Sequence, residues 1–150
     1  MAACDTRDWR IILRIDAHPE IDEAINFKEI SISGGVIVGK VFDASSGGFM
    51  SVLRGRCTPA TATGHTDMSH LEFVFNVIDA QQRTRLLLLQ GVASLAPGEN
   101  DPQEFRGSFR AFLPYSSPFS VTGAATTPTG RLDTLSFDEG DMGTGTGTQT

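Results

Sequence analysis

The sequence predicts an all-β protein: a single antiparallel up-and-down β-barrel of about eight strands. Three observations carry this reading. Apolar and polar residues alternate with a period of two along most of the chain, as in a strand with one buried face. The alternating runs are short and separated by clusters of Gly, Pro, Ser and Asn. A meander of such strands has two exposed edges, and closure into a barrel removes both. A two-sheet β-sandwich is the alternative arrangement.

The first run is Trp9–Asp16. Trp9, Ile11, Leu13 and Ile15 share one face, and Arg10, Ile12, Arg14 and Asp16 the other. His18-Pro19 ends it, because proline lacks an amide hydrogen and restricts the residue before it. A short helix over Pro19–Ala24 would serve as a corner. Ile25–Ser33 alternates again, with a phase slip between Phe27 and Ile30 that predicts a bulge. Gly34-Gly35 makes a turn, and Val36–Asp43 is rich in β-branched residues. After a second turn at Ser45-Ser46-Gly47-Gly48, Phe49–Cys57 carries Arg54 and Arg56 opposite Leu53, Gly55 and Cys57.

Leu71–Asp79 sets Leu71, Phe73, Phe75 and Val77 against Glu72, Val74, Asn76 and Ile78. Ser69-His-Leu-Glu72 also matches a helix capping box. The β-branched and aromatic residues of Phe73–Ile78 favour a strand. Arg83–Ser94 holds four consecutive leucines, apolar on both faces, and residues 96–102 form a loop. Phe105–Leu113 sets Phe105, Gly107, Phe109 and Ala111 against Arg106, Ser108, Arg110 and Phe112. Ser120–Ala125 and Arg131–Phe137 read as weaker late strands. Gly39, Gly55 and Gly107 fall inside strand patterns, where they suit sharp bends. Residues 140–150 alternate Gly and Thr with almost no apolar surface, and read as a flexible tail to a barrel domain spanning residues 7–139.

The 150 residues suit one domain. With 39% hydrophobic residues there is enough apolar material for one core. The net charge of −6 gives no general attraction to nucleic acid or anionic lipid, so neither is expected as a partner. The longest apolar run, Leu86–Leu89, is far short of a membrane span. The first residues lack the apolar core of a secretory leader, and Met-Ala is not a myristoylation start. Cys4 and Cys57 are too few for a disulfide scaffold or a zinc cluster. They read as free thiols in a reducing cytosol, with a single bridge between them left open, and the expected location is cytoplasmic.

Part of the chain resembles a family of small calycin-like β-barrel proteins of unknown function from bacteria and fungi. The element Ile30-Ser-Ile-Ser-Gly-Gly-Val-Ile-Val-Gly39 is similar to that family's Ile-x-Ile-x-Gly-Gly-x-x-x-Gly. Leu71-Glu72-Phe73-Val74-Phe75 resembles its Leu-acidic-x-x-aromatic strand, and Arg85–Gly91 its next strand ending in glycine. Val74 stands where the family carries arginine. The resemblance implies a barrel and transfers no catalytic residue. A looser likeness to lipocalin- and avidin-like barrels concerns the fold alone.

Chemistry-bearing residues are few. His65, Asp67 and His70 form the densest polar cluster, and could ligate a metal or act in acid–base chemistry. Their setting in a Gly/Thr loop favours solvated side chains, and no bound metal is expected. Asp16, His18 and Glu20 cluster at a strand end, where a histidine between two acids could serve as a base; solvated charges are again favoured. Arg54, Arg56, Arg106 and Arg110 would build a cationic pocket if they faced inward. Their apolar opposite faces predict that they face outward. No nucleophile elbow or redox-cofactor fingerprint occurs, so no cofactor is expected.

The resulting functional expectation is a small-molecule-binding barrel with an apolar ligand in its lumen. In enzymatic form it would be a cofactor-independent cyclase or isomerase of an apolar specialised metabolite, working by holding its substrate folded. Polar handles would then come from strand ends and mouth loops, at Asp16, His18, His65, His70 and Tyr115. The alternative is a non-catalytic structural or protein-interaction barrel with a filled core. A homodimer is compatible with either.

Overall fold

The computed structural model describes residue 4 and residues 7–59, 68–78, 83–95, 103–112 and 140–149. They form eight strands: β1 (Trp9–Ile15), β2 (Asp22–Ser33), β3 (Val36–Asp43), β4 (Phe49–Pro59), β5 (Met68–Ile78), β6 (Thr84–Leu95), β7 (Gln103–Phe112) and β8 (Met142–Gln149). Each pairs antiparallel with its neighbours in chain order, and β1 pairs with β8 to close the barrel. The up-and-down barrel read from the period-two pattern is therefore the fold. Its inward positions are those the alternation marks: Trp9, Ile11, Leu13, Phe73, Phe75, Phe105 and Phe109 are all buried.

Local features arise from local chemistry. Gly34 and Gly35 both adopt positive φ, at 58° and 81°, the twist that joins two adjacent strands through a two-residue turn. The phase slip in β2 is a bulge between Lys28 and Ser31, with Glu29 at φ 54°. Asp43 is buried at the β3–β4 turn, where its Oδ1 accepts from the Ser45 amide and hydroxyl, both at 2.9 Å. The capping-box stretch is strand throughout β5.

A connected series of aromatic rings fills the interior. Trp9 meets Phe105 at 6.3 Å between centroids and Phe105 meets Phe73 at 5.7 Å. Phe73 meets Phe27 at 4.8 Å and Phe27 meets Phe75 at 5.3 Å. Most of these pairs are edge-to-face or tilted, the arrangement the ring quadrupole favours. Beside Phe105 one row of the wall carries no side chains. Gly91 pairs with Gly107, and Gly107 with Gly145, in one inward row across β6, β7 and β8.

The structure corrects three expectations. The expected tail from residue 140 is not one over its described residues, 140–149: Met142–Gln149 is the closing strand, bonded to β1 on one edge and β7 on the other. The Gly/Thr alternation offers no apolar face because the inward space is already occupied. A Cβ on Gly143 would lie 2.5 Å from the Phe109 ring, one on Gly145 2.7 Å from Leu89, and one on Gly147 would overlap Ile11. The strand rests instead on two complete ladders and on outward threonines, which suit the pleat. The barrel domain accordingly extends past residue 139.

Secondly, Cys4 and Cys57 are not free thiols but a disulfide, tying the segment before β1 to β4. The two cysteines therefore give no ground for a reducing compartment. Thirdly, no helix forms over Pro19–Ala24. The His18 amide donates to the Ile15 carbonyl at 2.9 Å and the Ile21 amide to that of His18 at 3.0 Å, and β2 starts at Asp22. The register of β2 against β1 runs out to Asp22, so residues 22–24 of the expected helix belong to the strand. The closed barrel is the arrangement expected, and the sandwich alternative is not formed. The late strands expected at residues 120–125 and 131–137 lie outside the described residues. No helix among the described residues is long and apolar enough to cross a membrane.

Candidate functional site

The outer wall over β7, β8 and β1 carries a groove of about 370 Å³. Its origin is the composition of β8. Thr146 and Thr148 point outward between taller residues on both flanking strands. Arg10 and Glu104 stand on either side of Thr148, and Ile12 and Arg106 on either side of Thr146. The result is a trough with a hydroxyl-bearing floor, one guanidinium on each wall, a carboxylate and an aliphatic side chain. Arg10 and Arg106 are exposed, and Glu104 is half-buried.

Charges around the groove are partly neutralised. Arg14 grips the Asp22 carboxylate with two bonds, 2.6 Å from Nε and 3.0 Å from Nη2. That hydrogen bonding holds the Asp22 carboxyl below its ordinary range and raises the Arg14 guanidinium above its own. Arg110 donates to the Met142 thioether at 3.6 Å. Among the described residues the Arg10 and Arg106 guanidiniums have no hydrogen-bond or ion-pair partner.

The structure separates the residues singled out in the sequence. Asp16 and His18 occupy the exposed β1–β2 turn; the Asp16 amide donates to the Met142 carbonyl at 2.9 Å. His18 Nδ1 is 3.9 Å from Glu20 Oε1, both exposed. His70 projects outward near the start of β5, so it lies toward the opposite end of the barrel from that turn. His70 shares an outward cross-strand row with Val92, Arg106 and Thr146. His65 and Tyr115 lie outside the described residues. Among the described residues no group of three or more His, Cys, Asp or Glu could hold a metal ion.

Arg54, Arg56, Arg106 and Arg110 all face outward, as their apolar opposite faces predict, so they form no inner cationic pocket. Arg10, Thr146 and Thr148 escape sequence reasoning. The available signal was the Gly/Thr alternation itself, which, taken as a strand, places every threonine on one face beside Arg10 and Arg106. No family model matches the chain, and no curated protein or solved structure matches it.

Proposed function

We propose that the protein is a non-catalytic binding barrel, a filled scaffold that acts through its outer wall at the groove over β7–β8–β1. The supporting observation is the fit of the interior: core side chains reach the backbone of β8 so closely that added Cβ atoms at Gly143 and Gly145 would collide. A lumen for an apolar substrate needs roughly 300 Å³ or more. Here the inward residues around the ring series, Ile11, Leu13, Phe27, Phe73, Phe75, Leu87 and Leu89, are at most 1% exposed and touch one another as one cluster. A concave space of ligand size among the described residues opens on the outside, which favours this reading.

The test is an amide NMR titration with benzene, a probe that enters dry apolar cavities. The expected result is no saturable shift at Phe27, Phe73 or Leu89. A Phe73→Ala variant, in which a cavity is created, serves as the positive control and should bind. Saturable binding in the lumen of the unmodified protein would restore the interior-ligand reading and its cyclase or isomerase form.

A further inference from the structure

The geometry points to a ligand class for the groove: a small hydroxylated organic acid carrying one negative charge. This inference rests on the reading of the outer wall as the working surface. Its first support is the charge inventory. The chain as a whole carries −6, yet the two walls of the groove present Arg10 and Arg106, both without partners among the described residues. Unpaired guanidiniums facing one trough are suited to a carboxylate, whose two oxygens match the planar fork.

The second support is Glu104. It stands in the row of Arg10, separated from it by Thr148, and two residues before Arg106 on β7. Two arginines and one glutamate leave a formal excess of one positive charge in the groove. A single carboxylate balances that excess, whereas a doubly charged ligand would set its second charge against Glu104. The floor fixes the rest of the ligand. Thr146 and Thr148 offer hydroxyls that donate and accept, which suit hydroxyl groups, and Ile12 offers one apolar contact. At about 370 Å³ the groove lies at the small end of the range of ligand sites, which fits a monosaccharide-sized molecule.

The experiment compares three sugars of matched size by amide NMR titration of the full chain: glucose, glucuronate and glucarate, with zero, one and two carboxylates. Glucuronate should give saturable shifts at the amides of Arg106, Thr146 and Thr148, and bind more tightly than either of the others. Arg10→Gln and Arg106→Gln should each weaken glucuronate about tenfold, as expected for loss of a charge-assisted hydrogen bond at a partly exposed site. Glu104→Gln should reverse the preference toward glucarate. Equal binding of glucose, tighter binding of glucarate to the unmodified protein, glucuronate shifts that survive both arginine variants, or no saturable shift with glucuronate would each overturn the assignment. If glucuronate fails while benzene also finds no lumen, only the ligand class falls and the filled-scaffold reading stands.

Discussion

The Leu89 side chain reaches over β7 to Gly145: its Cδ1 lies 2.7 Å from the position a Cβ on residue 145 would take, so that methyl must move if one is added. Gly145 sits in the closing strand, two strands from Leu89, so the contact reports how closely the core packs on β8. Gly145→Ala should destabilise by about 1–3 kcal/mol through overpacking. Thr146→Ala, one residue along and pointing out, should change stability by less than about 0.5 kcal/mol. Urea denaturation of the two variants checks the contrast, and equal effects would show that the inward space is not limiting.

Removing the closing strand should be severe. A chain ending at Gly140 loses β8 and leaves β1 and β7 with unpaired edges, exposing the Leu13 and Phe109 side of the core. We expect loss of the cooperative thermal transition in circular dichroism. A truncated chain that melts like the parent would mean that the barrel closes without these residues.

The bridge between Cys4 and Cys57 spans a sequence separation of 53, so it constrains a long loop in the unfolded chain. Reduction, or Cys57→Ser, should cost about 2–4 kcal/mol. Melting with and without a phosphine reductant measures this, and a thiol assay on the unreduced, denatured protein should find no free sulfhydryl.

The Arg14–Asp22 pair gives a pH dependence of known sign. Asp22 is held below its ordinary range by the Arg14 hydrogen bonds. A depressed carboxylate contributes stability that is present above its unfolded-state value and lost as pH falls through the folded one. The effect is confined to acid conditions and small, because both side chains are exposed. Carboxyl NMR should find the Asp22 midpoint below that of an ordinary aspartate, and Arg14→Gln should return it to the ordinary range.

Much of the barrel is legible in the sequence because strands with one buried face write their period directly. Phe73 and Phe75 against Val74 and Asn76 mark a strand, its register and its inner side at once. The bulge at Glu29 is legible for the same reason, as a break in that period. The eighth strand is not, because its inner face is made of glycines and its stabilisation comes from backbone ladders and from space left by Leu89, Phe109 and Ile11. That information lies in other strands, so no local pattern contains it. The candidate site was missed with it: a groove floored by Thr146 and Thr148 exists only once Met142–Gln149 is a strand. The disulfide was similarly a long-range fact, set by which end of β4 the segment before β1 meets.

The central claim, a filled barrel that acts from its outer wall, is tested most directly by diffraction from xenon-pressurised crystals. Xenon occupies dry apolar cavities that admit it. The expected result is no ordered xenon among Phe27, Phe73, Phe105 and Leu89 in the unmodified protein, with an occupied site appearing there in Phe73→Ala. A well-occupied xenon site inside the unmodified barrel would contradict the claim and return the ligand to the lumen.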